Sequence, residues 1–203
     1  MRTAHGLSHR YLAPNNKKNM KTNYYLVIDF EATCCDQGSV PREQMEIIEF
    51  GAVMVEARHF QVVSEFQSFV RPVRHPVLTS FCTELTSIQQ HDVDSAPLFK
   101  DVAAQVKKWL YQYQDFVFCS WGDYDRKQLQ QDCAFHRIPN PIGAPHINLK
   151  PLMSERFNLS KKLGLGQAIR HAGLEFSGTA HRGIDDARNI ARLLPFLFDA
   201  GIC

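Results

Sequence analysis

Acidic residues at the ends of predicted strands are the first feature of this sequence that could do chemistry. Asp29 and Glu31 lie near the end of an apolar run, with a single residue between them. Alternate side chains of a strand point to the same side, so these two carboxylates should lie together. Their repulsion is costly unless a cation binds, and a divalent metal ion is the obvious candidate. An acid after a strand is also often only a polar loop residue, and the pair alone leaves both interpretations open.

Two further acids and a histidine occupy similar junctions. Asp125 follows the apolar run 116–120 and precedes a predicted helix, and His181 comes five residues before Asp186, at the start of the last predicted helix. The sites of α/β proteins commonly lie where strands pass into loops or helices. Taken singly, each acid could be a first-turn helix residue and His181 a loop histidine. Their combination favours a shared site.

The apolar periodicities predict the elements that position these residues. Strands over 24–33, 46–55 and 60–70 have short connections and are expected to be antiparallel neighbours. A short helix over 83–89, with Thr83 as its N-cap, precedes a longer helix that begins at Pro97. The predicted elements that follow are a strand at 116–120, a helix containing Leu129 and Cys133, a short strand at 147–149, a helix over 161–172 ending at Gly173, and a helix over 184–198. This order predicts an α/β domain, a mixed sheet with helices on its faces.

Composition narrows the class of protein. The 203 residues are 44% hydrophobic and 22% charged, as in globular proteins, and the net charge of +2 argues against a surface that coats a long duplex. The six cysteines form no C-x-x-C pair, which predicts no zinc site, no disulfides and a reducing, cytoplasmic location. No apolar run is long enough to span a membrane, so no membrane partner is expected.

The two ends of the sequence differ in character. Residues 1–22 are polar and basic with little apolar material, which predicts a disordered leader, with an organelle-targeting segment as a weaker alternative. Residues 23–203 are predicted to form a single domain. We expect no additional nucleic-acid-binding domain in the leader, because it is too short to form one.

The spacing of these residues resembles a known family. Asp29-x-Glu31, Asp125 and His181-x-x-x-x-Asp186 are similar to the DEDDh group of 3′→5′ exonucleases. Within that group the chain resembles, over about residues 24–198, the RNA exonucleases that include the histone-mRNA and small-RNA trimming (Eri-type) enzymes and the bacterial KapD-like proteins. The segments that carry this likeness are Asp29-Phe30-Glu31-Ala32-Thr33-Cys34, Glu46-Ile47-Ile48-Glu49-Phe50, Phe81-Cys82-x-x-Leu85-Thr86-x-Ile88 and His181-x-Gly183-Ile184-Asp185-Asp186-Ala187-x-Asn189-Ile190-Ala191. One departure is Ser87, where this branch usually has Gly.

The resemblance implies a fold, a reaction and a set of metal ligands. The fold would be the ribonuclease H-like exonuclease fold, with a mixed five-stranded sheet flanked by helices. Asp29, Glu31, Asp125 and Asp186 would hold two divalent cations, Mg²⁺ or Mn²⁺, which prefer oxygen ligands. His181 would be the general base, with Glu31 also catalytic. The chain would hydrolyse RNA from the 3′ end to nucleoside 5′-monophosphates, with single-stranded DNA as a further candidate substrate.

The resemblance also implies contacts with the substrate. The side chains that would stack on the terminal base are those of Phe81, Leu85 and Tyr124. Thr86 would contact the sugar. The 3′-terminal nucleotide would also be contacted by the main chain at Phe30 and Glu31 and by His181. Phe81 and Leu85 could instead be core residues, and Arg182 could contact a phosphate or be simply exposed. Alternative functions are a phosphodiesterase for very short oligonucleotides, a catalytically silent nucleic-acid-binding module, or a structural protein. The oligomeric state is open, and a monomer is compatible with the sequence.

Overall fold

A single mixed sheet organises residues 22–198, which are the residues described by the computed structural model of the chain. The strands are β1 (Tyr24–Ala32), β2 (Ile47–Glu56), β3 (Val62–Phe69), β4 (Phe116–Ser120) and β5 (His146–Asn148). Their order across the sheet is β3-β2-β1-β4-β5. The first three are antiparallel neighbours, whereas β4 runs parallel to β1 and β5 parallel to β4. The predicted α/β class and the mixed five-stranded sheet are confirmed.

Seven α-helices in residues 22–198 surround the sheet, and a single 3₁₀ turn (Arg42–Gln44) lies between β1 and β2. The α-helices are α1 (Ser80–Thr86), α2 (Gln90–Asp94), α3 (Phe99–Leu110), α4 (Tyr124–His136), α5 (Leu149–Arg156), α6 (Leu165–His171) and α7 (Gly183–Leu197). Two apolar clusters form the core, one on each face of β1. Leu26 and Ile28 pack with residues of α3 and α4, whereas Val27 packs with residues of α5, α6 and α7. The apolar run of β1 is therefore buried on both faces, as expected for a central strand.

Several predicted boundaries were wrong. The helix predicted over 83–89 begins at Ser80 and ends at Thr86, and its N-cap is Thr79, whose hydroxyl accepts a hydrogen bond from the Cys82 amide, rather than Thr83. The helix predicted over 161–172 begins only at Leu165, and helices α2 and α5 were not predicted. These helices are short, and α5 has no clear apolar stripe, so periodicity gave little signal for them.

The backbone at Ser87, the departure noted in the sequence, has a conformation that suits glycine. Ser87 is the C-cap of α1 and has a φ of 59°, in the left-handed region that glycine adopts without strain. The five cysteines within residues 22–198 are free, and no helix in this part of the chain is both long and apolar enough to cross a membrane. The predicted leader at 1–22 lies outside the described residues except for Thr22, and residues 199–203 also lie outside them.

Candidate active site

The alternation of β1 places its two acids on the side of the sheet that α7 covers. Leu26, Ile28 and Phe30 face the α3 and α4 side, so Asp29 and Glu31 face the same way as Val27, which packs against α7. Helix α7 packs on both β1 and β2. The carboxylates of the strand end therefore point toward the beginning of this helix.

Two glycines let the start of α7 approach the sheet closely. A Cβ on Gly51, the β2 residue opposite Asp29, would lie 2.1 Å from the carbonyl carbon of Gly183. A Cβ on Gly183 would lie 2.8 Å from the Asp29 carbonyl oxygen. Neither position has room for a larger residue without backbone movement. This contact fixes the first turn of α7 against the strand that carries Asp29 and Glu31.

A buried carboxylate fastens the same junction. Glu49 lies opposite Glu31 in the β1–β2 register and has no exposed surface. Its Oε2 accepts hydrogen bonds from the Gly183 amide at 2.9 Å and from Arg182 Nε at 3.0 Å, and Oε1 accepts one from Gln67 at 3.1 Å. Arg182, for which the sequence allowed a phosphate contact or an exposed position, therefore pairs with Glu49. The pair holds the backbone between His181 and Asp186.

His181 and Asp186 meet Glu31 at this junction. The backbone of His181 is left-handed, with a φ of 61°, and its amide donates to Asp186 Oδ2 at 3.2 Å. One potential ligand atom from each of Glu31, His181 and Asp186 lies within 4.8 Å of the other two. Glu31 and Asp186 are buried, whereas His181 is exposed. The imidazole is therefore open to solvent beside two buried carboxylates, a position that suits a group exchanging protons with water.

Asp125 completes the cluster from the neighbouring strand. Because β4 is parallel to β1, the two strands end at the same edge of the sheet, and α4 begins just beyond β4. Asp125 lies in the first turn of α4, is 3% exposed, and accepts a hydrogen bond from the Phe30 amide at 3.0 Å. The prediction that these separate segments converge is thus matched by the fold, although their roles stay predictions.

The cluster is electrostatically strained. Burial, followed by the charges of Asp125 and Asp186, raises the pKa of Asp29 well above its ordinary value. Burial and the Asp186 and Glu49 charges raise the pKa of Glu31 to about 9. Burial also raises the pKa of Asp125 to about 6 and that of Asp186 to about 7, although hydrogen bonds from the Phe30 and His181 amides oppose these two rises. Four acids that resist ionisation together would ionise if a cation were present.

The donor atoms fit a hard divalent cation. Among residues 22–198, none of the four acids forms an ion pair with Lys or Arg, and Asp29 and Glu31 accept no side-chain hydrogen bond. No fully buried side-chain N or O atom in this part of the chain lacks a partner, so the free oxygens of these two acids reach the surface of the site. Oxygen-only ligation without thiolates is what Mg²⁺ and Mn²⁺ prefer.

The predicted substrate contacts occupy different environments. Leu85 and Tyr124 are 38% and 36% exposed, and Phe81 is partly buried, so these three side chains are available for stacking. Thr86 is fully buried, and its hydroxyl donates to the Cys82 carbonyl and accepts from the Ile88 amide. The structure thus gives Thr86 a role in ending α1, and its contact with a sugar stays a prediction.

The predicted main-chain contact at Phe30 is constrained in a similar way. The Phe30 ring is buried against Phe50, with centroids 4.6 Å apart, and its amide is already bonded to Asp125. Its amide is therefore committed to positioning an acid. Open space lies instead beside His181 and Asp186, in a cleft of about 640 Å³ that is also lined by residues of α6, including Gln167 and Arg170. A nucleotide could enter the site from this side.

Sequence reasoning missed the residues that assemble the site. Glu49 was recognised as part of a strand and of a segment that carries the family likeness, and Gly51 only as part of that strand, yet they bind and accommodate the start of α7. Two signals were present in the run Ile47–Glu56. An acid inside an apolar strand is rarely buried unless it is paired, and a glycine inside a strand often marks close approach by another backbone.

The fold and the acid cluster agree with a known family of nucleases. The Exonuclease (RNase_T) family model matches residues 26–194, and the chain belongs to this family. Within it the chain is a member of the DEDDh group, with the ERI1-type enzymes. It is similar to the nuclease domain of 3′hExo, a DEDDh family member whose structure was determined bound to rAMP. The TM-score is 0.78 with 31% identity, over 86% of this chain and 90% of that one.

Two human proteins show the same likeness in sequence. The chain is 34% identical to human ERI1 exoribonuclease 2, over 88% of this chain and 29% of the relative. It is 35% identical to human ERI1 exoribonuclease 3, over 96% of this chain and 59% of the relative. It therefore spans only part of these curated relatives. Escherichia coli exonuclease I shares the fold, with a TM-score of 0.68 at 14% identity. Exonucleases of the DEDDh group depend on divalent metal ions, in agreement with the donor set described above.

Proposed function

We propose that this chain is a 3′→5′ exoribonuclease that releases nucleoside 5′-monophosphates and uses two divalent cations, Mg²⁺ or Mn²⁺. The observation that carries the proposal is the convergence of three buried acids, the partly buried Asp29 and an exposed histidine at one edge of the sheet, in a chain of the exonuclease family. RNA is favoured as substrate because relatives are named exoribonucleases and one similar structure shows recognition of a histone mRNA stem-loop.

The residues have separate tasks in this proposal. Asp29, Glu31, Asp125 and Asp186 would hold the cations, which supply charge stabilisation on the phosphate and an activated water. His181 would accept the proton of the attacking water, since its imidazole is exposed beside Glu31 and Asp186. Its left-handed backbone and the hydrogen bond from its amide to Asp186 would hold the imidazole next to these acids.

Base contacts in the proposal are confined to exposed or partly exposed side chains. Leu85 and Tyr124 would pack against the terminal base, with Phe81 beside them on α1. Stacking of this kind is worth about 1–3 kcal/mol per base and tolerates any base. The proposed activity therefore has little sequence preference at the 3′ end.

A time course on a 5′-labelled single-stranded RNA, with DNA of the same sequence in parallel, tests the proposal. The wild type should produce a ladder that shortens from the 3′ end with Mg²⁺ or Mn²⁺, and EDTA should abolish it. Asp29→Ala should be inactive, whereas Asp101→Ala, which removes an exposed acid from α3, should retain activity. Absence of shortening with either metal would refute the proposal, and cleavage limited to very short RNA would favour an oligonucleotide phosphodiesterase.

A further inference from the structure

Arg42 is a cation held against α4, the helix whose first turn carries Asp125. Its guanidinium carbon lies 4.5 Å from the centroid of the Tyr124 ring, and its Nη1 donates to Gln128 Oε1 at 2.6 Å. Its carbonyl accepts a hydrogen bond from Gln131 at 3.2 Å. All three partners belong to α4, whose first turn carries Asp125. Both the backbone and the side chain of Arg42 are thus fastened to the helix that supplies an acid of the site.

The charge of Arg42 is not neutralised by the protein. Within residues 22–198 no carboxylate lies within ion-pairing distance of Arg42, whereas Arg182 and Arg188 pair with Glu49 and Glu65. A guanidinium has five N–H donors in a planar fork, and most of those of Arg42 point to no protein acceptor. An exposed, oriented and unpaired cation beside an acidic site is suited to bind an anion from outside the protein.

The substrate of the proposed reaction determines which anion this is. A nucleic-acid strand must approach four carboxylates, so a nearby fixed cation would offset part of the repulsion. The 3′-terminal nucleotide carries a single phosphate, the one whose ester is cleaved at the acid cluster. Any other phosphate on the strand lies on the 5′ side of that bond. Arg–phosphate contacts are commonly bidentate, which the free fork of Arg42 permits.

We propose that Arg42, held by Tyr124 and Gln128, binds a phosphate of the strand on the 5′ side of the scissile bond. This inference rests on the proposed exonuclease function and defines a subsite of that site. It assigns to the segment around Arg42, a single 3₁₀ turn between β1 and β2, a part in gripping the strand. The terminal nucleotide alone would not reach the subsite.

Substrate length provides the test. A dinucleoside monophosphate has only the scissile phosphate, and a trinucleotide adds one phosphate on its 5′ side. Arg42→Ala should lower kcat/KM about 5–10-fold more on the trinucleotide and on longer RNA than on the dinucleotide. The kcat/KM of Arg42→Lys on the trinucleotide should lie between those of the wild type and Arg42→Ala, because lysine keeps the charge but lacks the planar fork. Arg58→Ala is the matched control, since Arg58 follows β2 at the opposite end of the sheet.

A neutral linkage locates the contact. When the phosphate on the 5′ side of the scissile one is replaced by a methylphosphonate, kcat/KM of the wild type on the trinucleotide should fall by the same factor as it falls in Arg42→Ala on the unmodified trinucleotide. Arg42→Ala acting on the modified trinucleotide should show no larger loss than either change alone. Binding of a 5′-labelled hexanucleotide in EDTA gives a readout that does not need activity. Loss of one phosphate contact should flatten the dependence of log Kd on log salt by about 0.7 in Arg42→Ala.

The outcomes separate this inference from the proposed function. If the wild type cleaves none of the substrates, the exonuclease proposal fails, and the binding measurement still decides the role of Arg42. An equal loss on dinucleotide and trinucleotide would place Arg42 at the scissile phosphate and overturn the inference. Equal activity and equal Kd for Arg42→Ala and Arg58→Ala would overturn it as well. Thermal unfolding of both variants would verify that neither has lost the fold.

Discussion

Glu31→Gln should make the metal-free protein more stable. Glu31 is 8% exposed, its carboxylate accepts no hydrogen bond from the described residues, and it faces the negative charges of Asp186 and Glu49. Burial and these charges raise the pKa of Glu31 from 4.5 to about 9. A carboxyl group whose pKa is higher in the folded than in the unfolded state lowers the free energy of unfolding at every pH at which the unfolded chain has released its proton. The amide has nearly the same shape and carries no charge, so it removes this penalty.

The size of the effect follows from the two pKa values. Between pH 4.5 and pH 9 the unfolded chain has released the Glu31 proton while the folded protein keeps it, so the free energy of unfolding falls as the pH rises. At pH 7 the difference covers about 2.5 pH units at about 1.36 kcal/mol each, or about 3 kcal/mol. At pH 5 it is below about 1 kcal/mol. For a chain of this size, 3 kcal/mol corresponds to a Tm increase of about 6–12 °C.

Urea and thermal unfolding in EDTA at pH 5, 7 and 8 would measure the difference in the free energy of unfolding between Glu31→Gln and the wild type. Glu31→Gln should exceed the wild type in stability by an amount that grows with pH, whereas Glu84→Gln, the same change at an exposed position on α1, should have little effect. Mg²⁺ should stabilise the wild type strongly and Glu31→Gln weakly, because binding to the folded state adds stability in proportion to affinity. A Glu31→Gln protein that is no more stable than the wild type at pH 8 in EDTA would refute the reasoning.

Two further predictions concern the scaffold of the site. Glu49→Gln, chemically the same change as Glu31→Gln, should lower the free energy of unfolding by about 2–3 kcal/mol in urea titrations, because Arg182 then loses its buried partner; an increase would show that repulsion by the cluster outweighs the ion pair. Ser87→Gly should raise the free energy of unfolding by about 0.5–1 kcal/mol, because glycine adopts the left-handed backbone of this position without strain. Gly173→Ser, at a φ of 73°, should lower the free energy of unfolding by a similar amount. Changes of the same sign in the two variants would contradict this explanation.

The sheet and the acids were predictable because their signals are local. The apolar run of β1 and the one-residue spacing of Asp29 and Glu31 depend only on the period of a strand, which also fixes the face that each side chain occupies. Asp125 was predictable as a first-turn acid of a helix that follows an apolar strand, and Asp186 as an acid at the start of the last helix, five residues after His181. Their shared location then follows from β1 and β4 being parallel neighbours that end at the same edge.

What sequence reasoning missed depends on contacts between distant segments. The pairing of Glu49 with Arg182 joins residues 133 apart, and the stacking of Arg42 on Tyr124 joins a loop to a helix. No periodicity reports such pairs, since each partner taken alone is an ordinary polar residue. The short helices α2 and α5 escaped for a different reason, because one or two turns give too few positions to establish a helical repeat.

The rigidity of the surroundings makes the strained acid cluster useful. Asp29 and Glu31 lie on a central strand packed on both faces, and Asp186 lies on a helix that the Gly51–Gly183 contact holds against that strand. The acids therefore cannot move apart to relieve their repulsion without disturbing a close-packed core. Relief comes only from taking up protons or from binding cations. A cluster that was free to relax would bind cations less tightly, so the close contact of α7 with β1 and β2 contributes to metal affinity although Gly51 and Gly183 carry no ligand atom.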